Sequence, residues 1–143
     1  MPPQDEPEPT LPPSFRLIIP VSGIKANQLR DTYTESRSEG RAHNAIDIIA
    51  PRNAPVLAAA DGRVVYAGSS LRGYGNLVII KHNETFLTAY AHNQTLLVKE
   101  DQAVRRGQRI ADMGSTDAET VRLHFEIRRL GKPVDPAKLL PPR

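Results

Sequence analysis

The sequence predicts an all-β, antiparallel domain. Three features carry the prediction: short apolar runs rich in Val and Ile, Gly, Asp and Asn punctuation between them, and no stretch that keeps a 3.6-residue apolar period for three turns. The runs cover residues 16–21, 46–49, 56–60, 63–67, 77–81, 85–92, 110–113 and 122–128. Asp61-Gly62 separates two of them and is a favoured type I′ hairpin dipeptide, because that turn needs positive φ at both central residues. Residues 56–67 are therefore expected to form a hairpin. Val104 ahead of Arg106-Gly107-Gln108 reads as a strand, a turn and a return strand.

A chain of 143 residues fits one domain and can bury about 70% of its unfolded surface without staples. Residues 1–14 differ from the rest. They are rich in proline, carry Asp5, Glu6 and Glu8, and hold too little apolar surface to fold, so they read as a linker ahead of a domain spanning 15–143. The net charge is +3, and the acidic linker makes the remainder more basic than that figure. Such a body suits an anionic partner, and equally well plain solubility.

Other classes are excluded. Only 5% of residues are aromatic and none interleave with basic residues as stacking platforms do, which argues against nucleic acid as a partner. With no cysteine, disulfides and thiolate metal sites are ruled out, so any metal must be held by His, Asp or Glu. No apolar run approaches the roughly 20 residues of a membrane helix, and residues 1–14 lack the basic flank and apolar stretch of a signal peptide. If the protein is exported, membrane attachment is expected only through an anchor outside these residues.

Four histidines bound any imidazole site: His43, His82, His92 and His124. His43 stands four residues before Asp47, whose apolar neighbours Ile46, Ile48 and Ile49 favour a strand entered from a loop. By spacing alone the pair is as compatible with a solvated His and a turn Asp as with a metal site. Strict alternation from Val121 to Arg128 puts Val121, Leu123, Phe125 and Ile127 on one face and Arg122, His124, Glu126 and Arg128 on the other. Glu126 and Arg128 are expected to face solvent. The same rule puts Tyr90 and His92 together, opposite Ala89 and Ala91, while His82 reads as a strand end with a structural role. Two imidazoles and a carboxylate form a recognised catalytic zinc set, with a fourth position for water whose pKa the ion lowers toward about 7.

The ordered motifs resemble the lysostaphin-type, or LytM-domain, zinc metallopeptidase family from about residue 20 to residue 140. They are His43-x-x-x-Asp47, Ile48-Ile49-Ala50-Pro51, Ala58-Ala59-Ala60-Asp61-Gly62, Gly73-Tyr74-Gly75-Asn76, Tyr90-Ala91-His92, Gly114-Ser115-Thr116, Leu123-His124-Phe125-Glu126 and Val134-Asp135-Pro136. The resemblance implies a compact antiparallel β domain with an open groove, acting on peptide cross-links of peptidoglycan. It implies Zn2+ bound by His43, Asp47 and His124, and a catalytic His92. The family's other catalytic histidine, the first of a His-x-His motif, falls on Arg122, and Ala45 stands where glycine is common.

Residues 63–128 look most like the NlpD-type envelope lipoproteins, whose degenerate LytM domains activate N-acetylmuramoyl-L-alanine amidases in cell division. The resemblance thus implies a bacterial envelope protein, periplasmic or anchored to the outer membrane, with two candidate functions. The retained ligand set makes a zinc endopeptidase of peptidoglycan the leading expectation, with an amidase activator, favoured by Arg122 and the subgroup, as the alternative. Arg122 would stay protonated and serve only to donate hydrogen bonds to a developing oxyanion.

Overall fold

The computed structural model describes residues 17–21, 45–134 and 139. The expected linker at 1–14 and His43 lie outside the described residues.

Among the described residues nine strands form one antiparallel sheet: β1 (Ile46–Ile48), β2 (Pro55–Leu57), β3 (Gly62–Gly68), β4 (Asn76–Lys81), β5 (Phe86–Leu96), β6 (Ala103–Val104), β7 (Arg109–Met113), β8 (Leu123–Arg129) and β9 (Lys132–Val134). The described residues contain no helix, in agreement with the all-β expectation. The main path runs β1-β8-β5-β4-β3-β6, with β7 joined to β5 and β2, and β9 to β8.

The eleven-residue β5 organises the sheet. It pairs with β4 along one edge. Along the other it pairs first with β8, from Phe86 to Ala91, and then with β7, from Asn93 to Leu96. At the handover β4 advances two residues, Asn76 to Val78, while β5 covers three, Asn93 to Tyr90. That extra residue is a β-bulge, and His92 within it has φ +70°.

The apolar face of β8 is legible in its alternation, since Leu123, Phe125 and Ile127 are all fully buried. They join Ile46, Ile48, Val56, Val64, Ile80, Tyr90 and Ile110 in the main core. Burying each such side chain contributes about 1.5–3 kcal/mol. Tyr90 packs on Phe125 at 5.3 Å between ring centroids, and its hydroxyl accepts the Ala59 N–H at 3.0 Å. A smaller cluster of Leu77, Ala89 and Ala91, lined by Tyr66, Tyr74 and Ile79, covers the opposite face.

Two turn expectations are corrected. Residues 56–67 do not form a hairpin: β2 pairs with β7, and β3 with β4 and β6. Gly62 is not one of the described glycines with positive φ, which are Gly73, Gly75, Gly107 and Gly131. Its glycine character serves close approach instead, because a Cβ would meet Ile80 Cγ2 and the Lys81 carbonyl oxygen at 2.6 Å each. Asp61 Oδ1 accepts the Arg106 N–H at 2.7 Å and ties this corner to the following turn. β6 and β7 likewise exist but do not pair with each other. The turn between them, with Gly107 at φ +85°, hands the chain from β3 to β2 and β5.

Gly62→Ala is expected to destabilise the domain by about 1–3 kcal/mol through overpacking against β4, measured as a lower urea midpoint at unchanged m-value.

Candidate metal and catalytic groove

The site grows from the polar face of β8. Across the ladders His124 is paired with Asp47 of β1 on one side and with Ala91 of β5 on the other. Ile46 and Ile48 bury into the core, so the intervening Asp47 faces His124, and it is only 5% exposed. His124 Nδ1 lies 3.1 Å from Asp47 Oδ1, and its Nε2 lies 2.8 Å from Glu126 Oε2.

His92 reaches the same place by a route that alternation does not predict. A regular strand would send it to the Tyr90 side, into the core. The bulge turns it instead toward His124, with ring centroids 5.9 Å apart, while Tyr90 stays on Phe125. The expected shared face of Tyr90 and His92 is thus corrected, and the cause is the positive φ at His92. Its N–H donates to the Tyr74 carbonyl at 2.8 Å, and its Nδ1–H donates to the Thr116 carbonyl at 2.8 Å. The tautomer follows from that second bond: Nε2 carries the lone pair.

Arg122 is bridged to Gly114, its N–H donating to the Gly114 carbonyl at 3.0 Å. Its Nε is buried with no hydrogen-bond partner among the described residues. Together with Gly73, Tyr74, His92, Asp117 and His124 it lines an open depression of about 400 Å³. His82 is elsewhere: its ring nitrogens sit 2.7 Å from the Asp61 carbonyl and 2.8 Å from Thr88 Oγ1, at the edge of the core.

Glu126 and Arg128 are not the solvated pair the alternation suggests. Glu126 is 6% exposed, and Arg128 donates to its Oε1 through Nε at 2.9 Å and Nη2 at 2.7 Å. Tyr74 closes the group, donating to Glu126 Oε2 at 3.3 Å and accepting from Arg128 Nη2 at 3.2 Å. The available signal for this cluster was three ionisable groups at spacing two on one strand face; nothing local announced that Tyr74 would cover them.

These contacts set the charges. Burial pulls the His124 ring down, but hydrogen bonds to Asp47 and Glu126 overcome it and raise its pKa to about 9. Burial also works against the Glu126 carboxylate, yet His124 and Arg128 hold its pKa below the ordinary value. His92 is lowered, first by burial and then by the nearby charges of His124 and Arg122, so it stays a neutral acceptor at neutral pH.

The donor set fits zinc in part. Metal bonds of about 2.0–2.2 Å in a tetrahedral site put neighbouring donor atoms about 3.3 Å apart, near the separation of His124 Nδ1 and Asp47 Oδ1. A cation there must displace the proton between them, as metal binding to imidazole does. No group of three or more His, Cys, Asp or Glu among the described residues forms a complete metal cage.

The model of peptidase family M23 matches residues 41–136. The chain belongs to peptidase family M23. It is 62% identical over 106 residues to a lipoprotein NlpD/LppB homolog of Pseudomonas aeruginosa, covering 74% of this chain and 36% of that protein. It is 57% identical over 110 residues to the murein hydrolase activator NlpD of Escherichia coli, covering 77% of this chain and 29% of that protein. The chain thus spans about a third of the length of these relatives. Among solved structures, the catalytic domain of lysostaphin from Staphylococcus simulans superposes with a TM-score of 0.63 at 30% identity, covering 68% of this chain and 78% of that one. The lysostaphin-type and NlpD-type resemblance read from the motifs is therefore correct.

Thr116 holds His92 only because Gly75, at φ +63°, lets the two loops touch; a Cβ at Gly75 would fall on the Thr116 hydroxyl and carbonyl. Gly75→Ala is expected to release His92, seen by proton NMR as loss of a slowly exchanging His92 Nδ1 proton, together with a lower Tm.

Proposed function

We propose that this chain is the M23 domain of a bacterial envelope protein that acts on peptidoglycan by switching on an N-acetylmuramoyl-L-alanine amidase. In this reading zinc is held by His43, Asp47 and His124, residues 1–14 are a tether, and 15–143 form the domain. An anchor beyond these residues keeps it in the periplasm at the outer membrane, as the lipoprotein relatives suggest.

Arg122 carries the reading. A guanidinium stays protonated at working pH and takes no proton from a nucleophile, so proton transfer in the groove falls to His92 alone. What Arg122 offers is a fixed positive charge lining an open depression where a carbonyl or carboxylate of a docking protein would be bound. The murein hydrolase activator relative supports the same direction.

A second reading, a zinc endopeptidase of peptide cross-links, is favoured by the Asp47 and His124 separation and by the lone pair on His92 Nε2. Zinc, when bound, supplies Lewis acidity toward a carbonyl. Asp47 and His124 would hold it, His92 would accept and return a proton at Nε2, and Arg122 would donate to the developing oxyanion.

The deciding experiment incubates the chain, with zinc, on isolated peptidoglycan, alone and with a cognate amidase. Release of peptides only when the amidase is present is expected. Cross-link cleavage by the chain alone, abolished in His92→Ala, would overturn the activator reading in favour of the second. Arg122→His is expected to raise cross-link cleavage, within the 10²–10⁴-fold or so that one proton-transfer group contributes. Metal analysis should find one zinc per chain, lost in Asp47→Ala and in His124→Ala.

A further inference from the structure

We infer that His82 is an acid-sensitive latch: its ring closes a hydrogen-bonded chain that runs through Thr88 and Tyr90 and fastens both ends of the segment 59–61, and a proton added to the ring breaks that chain. The inference goes beyond the zinc and activator readings and depends on neither, because His82 is not a proposed ligand and sits at the Asp61 corner.

One fixed point sets the direction of every bond. A backbone carbonyl only accepts, so His82 Nδ1, 2.7 Å from the Asp61 carbonyl oxygen, carries the ring hydrogen. In the neutral ring Nε2 then has a lone pair, and Thr88 Oγ1, 2.8 Å away, donates to it. Thr88 has thereby used its single hydrogen, so across 2.6 Å it accepts from the Tyr90 hydroxyl. The Tyr90 oxygen in turn accepts the Ala59 N–H at 3.0 Å. Four donors thus meet four acceptors, and the chain starts and ends on one short segment. Thr88 and Tyr90 are fully buried, so water has no access to replace a lost partner.

Protonation leaves no consistent arrangement. Both ring nitrogens then donate, and Thr88 Oγ1 must accept from Nε2. Whether the Thr88 hydrogen turns to Tyr90 or the Tyr90 hydrogen stays on Thr88, one buried hydroxyl hydrogen has no acceptor within the chain. Burial acts in the same direction and pulls the His82 pKa below its ordinary value, against the pull of Asp61, whose carboxylate is engaged by the Arg106 N–H. The other charged groups nearby have partners of their own. Lys81 pairs with Glu84 at 3.8 Å, and Arg63 of β3 donates to the Asp101 carbonyl. Tyr90 of β5 is kept protonated by burial, its pKa raised to about 12, and β8 meets Thr88 with the apolar Ile127. A histidine held neutral in the fold and free to charge in the unfolded chain gives stability that is complete above about pH 6.5 and is lost as pH falls below it. The loss is felt at both ends of the chain. Ala59 anchors the Ile18 N–H, and Tyr90 packs on Phe125 beneath the groove.

The test acidifies the complete chain from about pH 7.5 to about 5, where histidines charge, and follows the His82 ring by 15N NMR together with the Tyr90 hydroxyl proton. At the upper end the ring is expected to carry its proton on Nδ1. Its titration midpoint should lie below that of free histidine, and the slowly exchanging Tyr90 hydroxyl proton should disappear at the same midpoint. Urea unfolding supplies a second readout: the folding constant of the wild type should fall by up to about tenfold per pH unit below about 6.5, the limit for one proton, and H82Q should lack that part of the fall. An Nε2 proton in the neutral ring, a midpoint at or above that of free histidine, or a Tyr90 hydroxyl proton indifferent to the His82 titration would overturn the inference, as would an H82Q that loses stability in acid as the wild type does. The NMR readouts use the wild type and decide the matter even if H82Q does not fold.

Discussion

One extra residue in β5 is the constraint on which the groove depends. At His92 the strand exchanges β8 for β7 as its neighbour, and the bulge that makes this exchange sends the His92 ring to the side occupied by His124. Holding a residue other than glycine at φ +70° costs about 1–2 kcal/mol. The surrounding bonds offset that cost. Tyr74 and Thr116 carbonyls take both His92 donors, and the Asn93 amide reaches the Asn76 and Tyr90 carbonyls at 3.0 and 2.9 Å. Conformational strain at His92 is thus held in place by a rigid sheet, with β4, β7 and β8 all meeting β5 around one residue.

The polar face of β8 then divides into two electrostatic regimes. Arg128 is neutralised by Glu126 and serves the scaffold, whereas Arg122, six residues away on the same face, has no partner for its Nε among the described residues and lines the depression. Identical side chains on one strand therefore have different chemistry. Between them His124 is flanked by two carboxylates, which favour its charged form and would favour a divalent cation for the same reason. His92, beside Arg122, is held neutral by burial and by like charge. The groove thus sets one neutral imidazole beside one fixed cation.

Much of the fold was legible because alternation in β8 and the Val- and Ile-rich runs report burial directly. Candidate ligands were also legible, as only four histidines exist and no cysteine competes. The hairpin at Asp61-Gly62 was misread because glycine has two uses, positive φ and close approach, and local sequence does not distinguish them. Glu126 was misread because alternation reports which face a side chain is on, and whether that face meets water depends on the Tyr74 loop that lies over it.

By itself the sequence determined the strand character, the core face of β8, the M23 family and the short list of groups able to hold a metal or move a proton. Those properties follow from residue type and from periods of two, which are local. Tertiary structure alone decided that Asp47 and His124 face each other across a ladder 77 residues apart in the chain, that His92 leaves the core side, and that Glu126 is buried behind His124. Each of these depends on register, on one bulge and on what a distant loop covers, and none of the three is written in neighbouring residues.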